Sequence, residues 1–152
     1  RLVGLGDVYK RQFMDTVLAD YQDRKRIEFT ARGRSQVNIR ELTDDGPIGY
    51  SSTELLLIAL ANCTLGALLD QELLRSVQVL RAEATLTAQR AEHPSRITKI
   101  EVDIDLEVTD KNLRKHRTEL EALACTCPLC NTLGNVEIVN RLNLIVTGVS
   151  SG

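Results

Sequence analysis

The sequence predicts an α+β fold, with antiparallel sheets around a buried central helix. Three observations carry this. Apolar residues spaced two apart, the mark of one sheet face, occur on both sides of the chain's middle: Ile27 and Phe29, Val37 and Ile39, then Ile100, Val102, Ile104, Leu106 and Val108. A single continuous apolar run, residues 55 to 69, separates the two sets. The element order is strands, helix, strands, helix, short helix, strand, and not a βαβ alternation. At 152 residues, 43% hydrophobic and 26% charged, the chain suits one domain with a real core and is too short to expect two.

Residues 1–12, RLVGLGDVYKRQ, follow neither period and precede the chain's one methionine, Met14. They resemble a reading frame through a transposon-end adaptor used in library preparation and read as a non-native assembly scar, leaving 13–152 as the domain. DTVLADY and RIEFTARG then alternate as strands about the charged turn Gln22-Asp23-Arg24-Lys25, and SQVNIREL follows Gly33-Arg34. Together they predict an antiparallel meander, ended by the loop TDDGPIGY.

SSTELLLIALANCTLGALLDQELLRS comes next. Ser51 and Glu54 fit a capping box as N-cap and N3. From Leu55 to Leu69 nearly every residue is apolar or small, so the helix belongs inside the fold. At about 15 residues, interrupted by Asn62, the run falls short of the roughly 20 that span a bilayer. VQVLRAEATLTAQ and RITKIEVDIDLEV predict two long half-buried antiparallel strands joined through Glu92-His93-Pro94-Ser95. Asp110 is placed to cap a polar helix over 111–124, with Leu113, Leu120 and Leu123 on one side. CTCPLCNTLG follows, and VEIVNRLNLIVTG closes the chain as a strand.

Composition removes several function classes. A net charge of −2 gives no electrostatic grip on nucleic acid or a membrane surface, and 3% aromatics with no Trp gives no base-stacking platform. Four cysteines are too sparse for a disulfide-built scaffold, and no signal-like start precedes them. A reducing cytoplasm is the expected location, where conspicuous cysteines are catalytic or metal-binding.

Three of the four cysteines lie within residues 125–130. Pro128 suits the first position of a helix, which makes Cys127 its N-cap, and Gly134 is placed to end it. Free N–H groups and the positive end of the helix dipole favour a thiolate there. The bland alternative is that Cys127 fills a small buried cap position. CPLC also has the C-x-x-C spacing of a thioredoxin-like redox pair, but that reading expects a βαβ pattern. A zinc site could draw on Cys125, Cys127 and Cys130, with Cys63 or a histidine as fourth ligand, yet only one C-x-x-C pair exists. His93 in a loop and His116 on a polar helix read as solvent-facing, and neither completes a Cys–His–Asp triad. Cys63, alone inside the apolar helix, would by itself be an inert core thiol.

STELLLIALANCTLGALL resembles the signature helix of the OsmC/Ohr family, which often reads (S/N)P-T/E-E-L-L-x-A-A-x-x-x-C. CPLCNTL is similar to that family's second cysteine element, commonly C-P-x-S-N-x, and RITKIEVDIDLEV to the strand before it. The resemblance runs in order from about residue 15 to the C-terminus. It implies an OsmC-like fold, an intertwined homodimer, and a thiol peroxidase of the peroxiredoxin type that reduces organic hydroperoxides or related peroxides. It also implies catalytic Cys63 as the peroxidatic thiol, Cys127 as the resolving one, no metal or organic cofactor, and a dithiol reductant of which lipoylated proteins are one type. The chain departs from the pattern in three places. Thr53 stands where organic-hydroperoxide reductases carry a site Glu, and Glu54 beside it reads as a helix cap. The family's thiolate-holding Arg has four candidates here: Arg24, Arg26, Arg32 and Arg34. Cys130 stands where Ser is common and Cys125 is additional, which keeps open a non-catalytic thiol or zinc-binding module built on Cys125, Cys127 and Cys130.

Overall fold

The computed structural model describes residues 14–23 and 25–148, which divide into two compact units, one ending at Ser52 and the other beginning at Thr53. Residues 1–12, read above as an assembly scar, and Arg24 lie outside the described residues.

The N-terminal unit is the expected meander. Strands β1 (Leu18–Asp23), β2 (Arg26–Ala31) and β3 (Arg34–Ile39) form an antiparallel sheet in the order β1-β2-β3. Ala31 pairs with Arg34, so only Arg32 and Gly33 turn the chain, both at positive φ (50° and 74°). Two successive positive φ values match the strand twist of a tight hairpin, and Gly33 takes its share without a Cβ penalty. The loop at TDDGPIGY contains a small hairpin of β4 (Leu42–Thr43) and β5 (Gly46–Pro47). Asn38, the one buried polar residue among the described residues of this unit, ties the loop end down. Its amide donates to the Tyr50 carbonyl (2.9 Å) and its oxygen accepts from the Tyr50 N–H (2.8 Å). Gly49 lies so close to the Ile39 carbonyl and to Asn38 that a Cβ there would collide with backbone.

The second unit opens with α1 (Ser52–Leu69), which starts directly after the predicted cap Ser51. It is long and apolar enough to cross a membrane by length and composition alone. It is not apolar-buried all round, however. Only Leu60, Thr64 and Leu68 are fully buried, a stripe at i, i+4, i+8, while Ile58 and Leu69 are exposed. A helix laid on one sheet covers one stripe per chain, so uniform apolar composition overstates its burial here. After a short α2 (Glu72–Arg75), strands β6 (Val79–Ala91) and β7 (Arg96–Val108) pair antiparallel over their length, as expected. Ile100, Val102, Ile104, Leu106 and Val108 on β7 are at most 1% exposed and form the centre of the core.

Two expectations change beyond β7. The polar helix over 111–124 is a 3₁₀ turn (Lys111–His116) followed by α3 (Arg117–Ala124). Asp110 does cap it, accepting from the Asn112 N–H at 2.9 Å, and Leu113 and Leu120 are buried. Then, after α4 (Pro128–Thr132), β8 (Glu137–Val146) pairs with β7 in parallel, giving a mixed sheet in the order β6-β7-β8. The sheet is therefore not wholly antiparallel. Its last connection is a crossover, which the helical residues between β7 and β8 make possible. Glu121 clasps that crossover to the sheet: Oε2 accepts from Arg117 (2.7 Å) and from the Leu142 N–H of β8 (2.9 Å).

Candidate active site

All four cysteines belong to the second unit, and all four are free thiols. Cys63 lies on α1 beside buried Thr64, at the edge of the helix's inward stripe, and packs against the core. Cys127 is the N-cap of α4, extended at φ −70° and ψ 153°, with Pro128 at the first helical position. That is the placement read from Cys-Pro. Cys127 is 1% exposed and is part of the core cluster. The crossover thus carries Cys127 toward α1, where the Cys63 and Cys127 thiols influence each other's acidity.

The cluster continues. Cys127 and Cys130 are linked Sγ to Sγ at 3.4 Å, and Cys125 adds to the upward shift of the Cys130 thiol. The result is a chain of thiols running Cys63, Cys127, Cys130, Cys125. Helical spacing of three places Cys130 over the cap, so the 127–130 link was readable from CPLC. The Cys125 link had no such signal, because Cys125 precedes the cap and ends α3.

The protons are distributed unevenly along this chain. Burial is the largest influence on Cys127 and pushes its thiol up. The hydrogen bond from Cys63, the Cys130 N–H and thiol, and the Leu129 N–H act against it, and the net shift is downward. The two N–H groups close no full capping bond to the sulfur, but they face it and favour its anion. Cys63 is shifted upward, first by burial and then by the hydrogen bond and charge of Cys127, with the Leu129 N–H pulling the other way. Cys130 is pushed up much further, by burial first and then by its bonds to Cys127 and Cys125. The more acidic thiol is therefore Cys127, and Cys130, 3.4 Å from it, is shifted the opposite way. Sequence reasoning identified the thiolate-stabilising helix start but not the influence of Cys63 on it.

The remaining candidates sort as follows. Arg26 opens β2, Arg32 occupies the β2–β3 turn and Arg34 opens β3; all three are exposed members of the N-terminal unit. Glu54 lies in the first turn of α1, where its charge suits the helix start. His116 Nδ1 pairs with Glu119 at 3.1 Å on the surface. Among the described residues no three His, Cys, Asp or Glu side chains are grouped to hold a metal ion. One ground for setting aside a thioredoxin-like role also changes. CPLC does lie between two parallel strands, although α3 separates it from β7.

Residues 43–140 match the family model described as OsmC-like protein. No curated protein matches the sequence. Among solved structures, an OsmC-like protein from Mycoplasma pneumoniae is 14% identical and covers 87% of this chain and 97% of its own, with a TM-score of 0.70. The organic hydroperoxide resistance protein OhrB of Bacillus subtilis is 19% identical and covers 88% and 98%, with a TM-score of 0.56. An organic hydroperoxide resistance protein OsmC from Legionella pneumophila is 18% identical and covers 86% and 97%, also at 0.56. At these identities the likeness is one of fold.

Proposed function

Because the chain belongs to the OsmC-like protein family, whose model spans residues 43–140, we propose that it is a cysteine-based peroxidase acting on organic hydroperoxides. The observation that carries this reading is that the free thiols Cys63 and Cys127 share one core cluster and shift each other's acidity in opposite directions. Fold-mates named for organic hydroperoxide resistance support it.

The chemistry follows from that pairing. The Cys127 thiolate takes the proton of Cys63, and the Cys63 sulfur attacks the terminal peroxide oxygen. The O–O bond breaks, the alkoxide takes the proton held by Cys127 and leaves as alcohol, and Cys63 becomes a sulfenic acid. Cys127, a thiolate again, attacks the Cys63 sulfur; the S–S bond forms as the S–O bond breaks, and the departing hydroxide takes a proton from solvent to become water. An external dithiol supplies two electrons and two protons and restores both thiols. Lipoylated proteins are the reductant class this reading favours, and the cytoplasm the compartment in which the thiols stay reduced. A homodimer is part of the proposal, supported by the apolar side chains that one chain leaves exposed on α1, Ile58 at 47% and Leu69 at 39%. Following cumene hydroperoxide consumption with excess dithiol tests the activity. Cys63→Ser is expected to lower kcat/KM by roughly 10³-fold or more, and equal rates in the two proteins would sink the proposal.

A further inference from the structure

The two-thiol cycle leaves Cys130 unused, although its sulfur is 3.4 Å from that of Cys127. We propose that Cys130 is a relay thiol, which takes the disulfide from Cys63 and stores it within CPLC. The inference rests on the peroxidase reading for its natural oxidant, but its geometry does not depend on it.

Among the described residues the Cys127 sulfur lies 3.4 Å from that of Cys130, and its thiol is the one coupled in acidity to Cys63. Once Cys63 and Cys127 are joined, the Cys130 sulfur attacks Cys127 Sγ. The Cys127–Cys130 bond forms as the Cys63–Cys127 bond breaks, Cys63 leaves as thiolate, and the proton given up by Cys130 ends on Cys63. No further oxidant or reductant enters; the same two electrons remain withdrawn from the protein. Burial holds the proton on Cys130 most strongly and the neighbouring Cys127 adds to it, an addition that ends when Cys127 enters a disulfide. The order of events is set by the bond itself, since Cys130 has no disulfide to attack until Cys63 and Cys127 are joined.

Two consequences follow. Cys63 is returned to its reactive form before any external reductant arrives, and the reductant meets a disulfide confined to one turn of α4. The helix is five residues long, so opening the new bond requires no movement of α1.

Reduced protein treated with one equivalent of cumene hydroperoxide, quenched in acid over a time course, alkylated and mapped without reduction tests this. In the wild type the Cys63–Cys127 bond should appear first and be replaced by Cys127–Cys130, with Cys63 alkylated and about a tenfold excess of the second bond at the end. In Cys130→Ser the Cys63–Cys127 bond should persist. A wild type that stops at Cys63–Cys127 with Cys130 fully alkylated overturns the relay and leaves the peroxidase reading intact. A parallel arm uses diamide, which forms disulfides without peroxide. Transfer to Cys127–Cys130 with diamide, while the peroxide leaves all thiols reduced, would keep the relay and overturn the peroxidase reading. Failure of transfer in both arms overturns the relay.

Discussion

The meander and the unit that follows it treat apolar residues in opposite ways. In the meander and its loop, Val17, Leu18 and Tyr21 are each 63% exposed and Leu42 81%. On β7, Ile100, Leu106 and Val108 are at 0%. Both segments alternate with period two, so the difference is not one of pattern. β7 is the middle strand of its sheet and has α1, α3 and the CPLC turn over one face. Among the described residues, the three meander strands have no helix of their own unit to cover them. The contrast teaches that a strand's alternation announces a face to be covered without naming the cover. One region is covered within its unit, and the other leaves apolar side chains exposed among the described residues.

The comparison can be broken at its strongest point. Leu106→Ala removes a fully buried side chain from the central strand and should cost about 2–5 kcal/mol in chemical denaturation. A loss no greater than that of Leu42→Ala would mean the two units are not the complete and incomplete regions described. Next comes concentration. If the exposed apolar residues are covered by a second copy, stability should rise with protein concentration, by about 2.7 kcal/mol at a hundred times the dissociation constant. Thermal melts at concentrations two decades apart read this, and superimposable melts with a monomer in sedimentation would remove the homodimer. The smallest effect concerns acid. The Glu121 carboxyl is held below its ordinary value by the Leu142 N–H first and by Arg117 second. Its contribution is thus fully present above the unfolded pKa of about 4.3 and is lost as pH falls through the lower folded value. Glu121→Gln should cost about 1 kcal/mol at neutral pH, and its deficit relative to wild type should shrink below about pH 4. An unchanged deficit at low pH would show that the clasp acts without its charge.

Much of this was legible beforehand, for identifiable reasons. The β2–β3 hairpin and the β6–β7 pair were readable because their apolar residues alternate and their turns carry turn residues. Cys127 as N-cap was readable because Pro128 has few other places to be. The parallel pairing of β8 was not, since alternation in Ile138, Leu142 and Leu144 says which residues share a face and nothing about strand direction. The helix α1 was over-read, because its composition describes what could be buried while a single chain supplies cover for one stripe. At the site, Cys63 and Cys127 were named together from the resemblance of their motifs to a family. The direction of proton sharing between them depends on Leu129 and Cys130 amides, and backbone groups leave no mark in a sequence.

The crossover from β7 to β8 has a consequence for how such a protein can change. One thiol is fixed to the scaffold helix, while the other three ride on a connecting segment. On the proposed cycle, substitutions in that segment can add, remove or reorder the acceptors of an oxidised Cys63 without rebuilding the sheet beneath. That cycle separates a permanent point of attack from an exchangeable cassette of outlets, so closely similar folds could diverge in what happens to a disulfide after it forms.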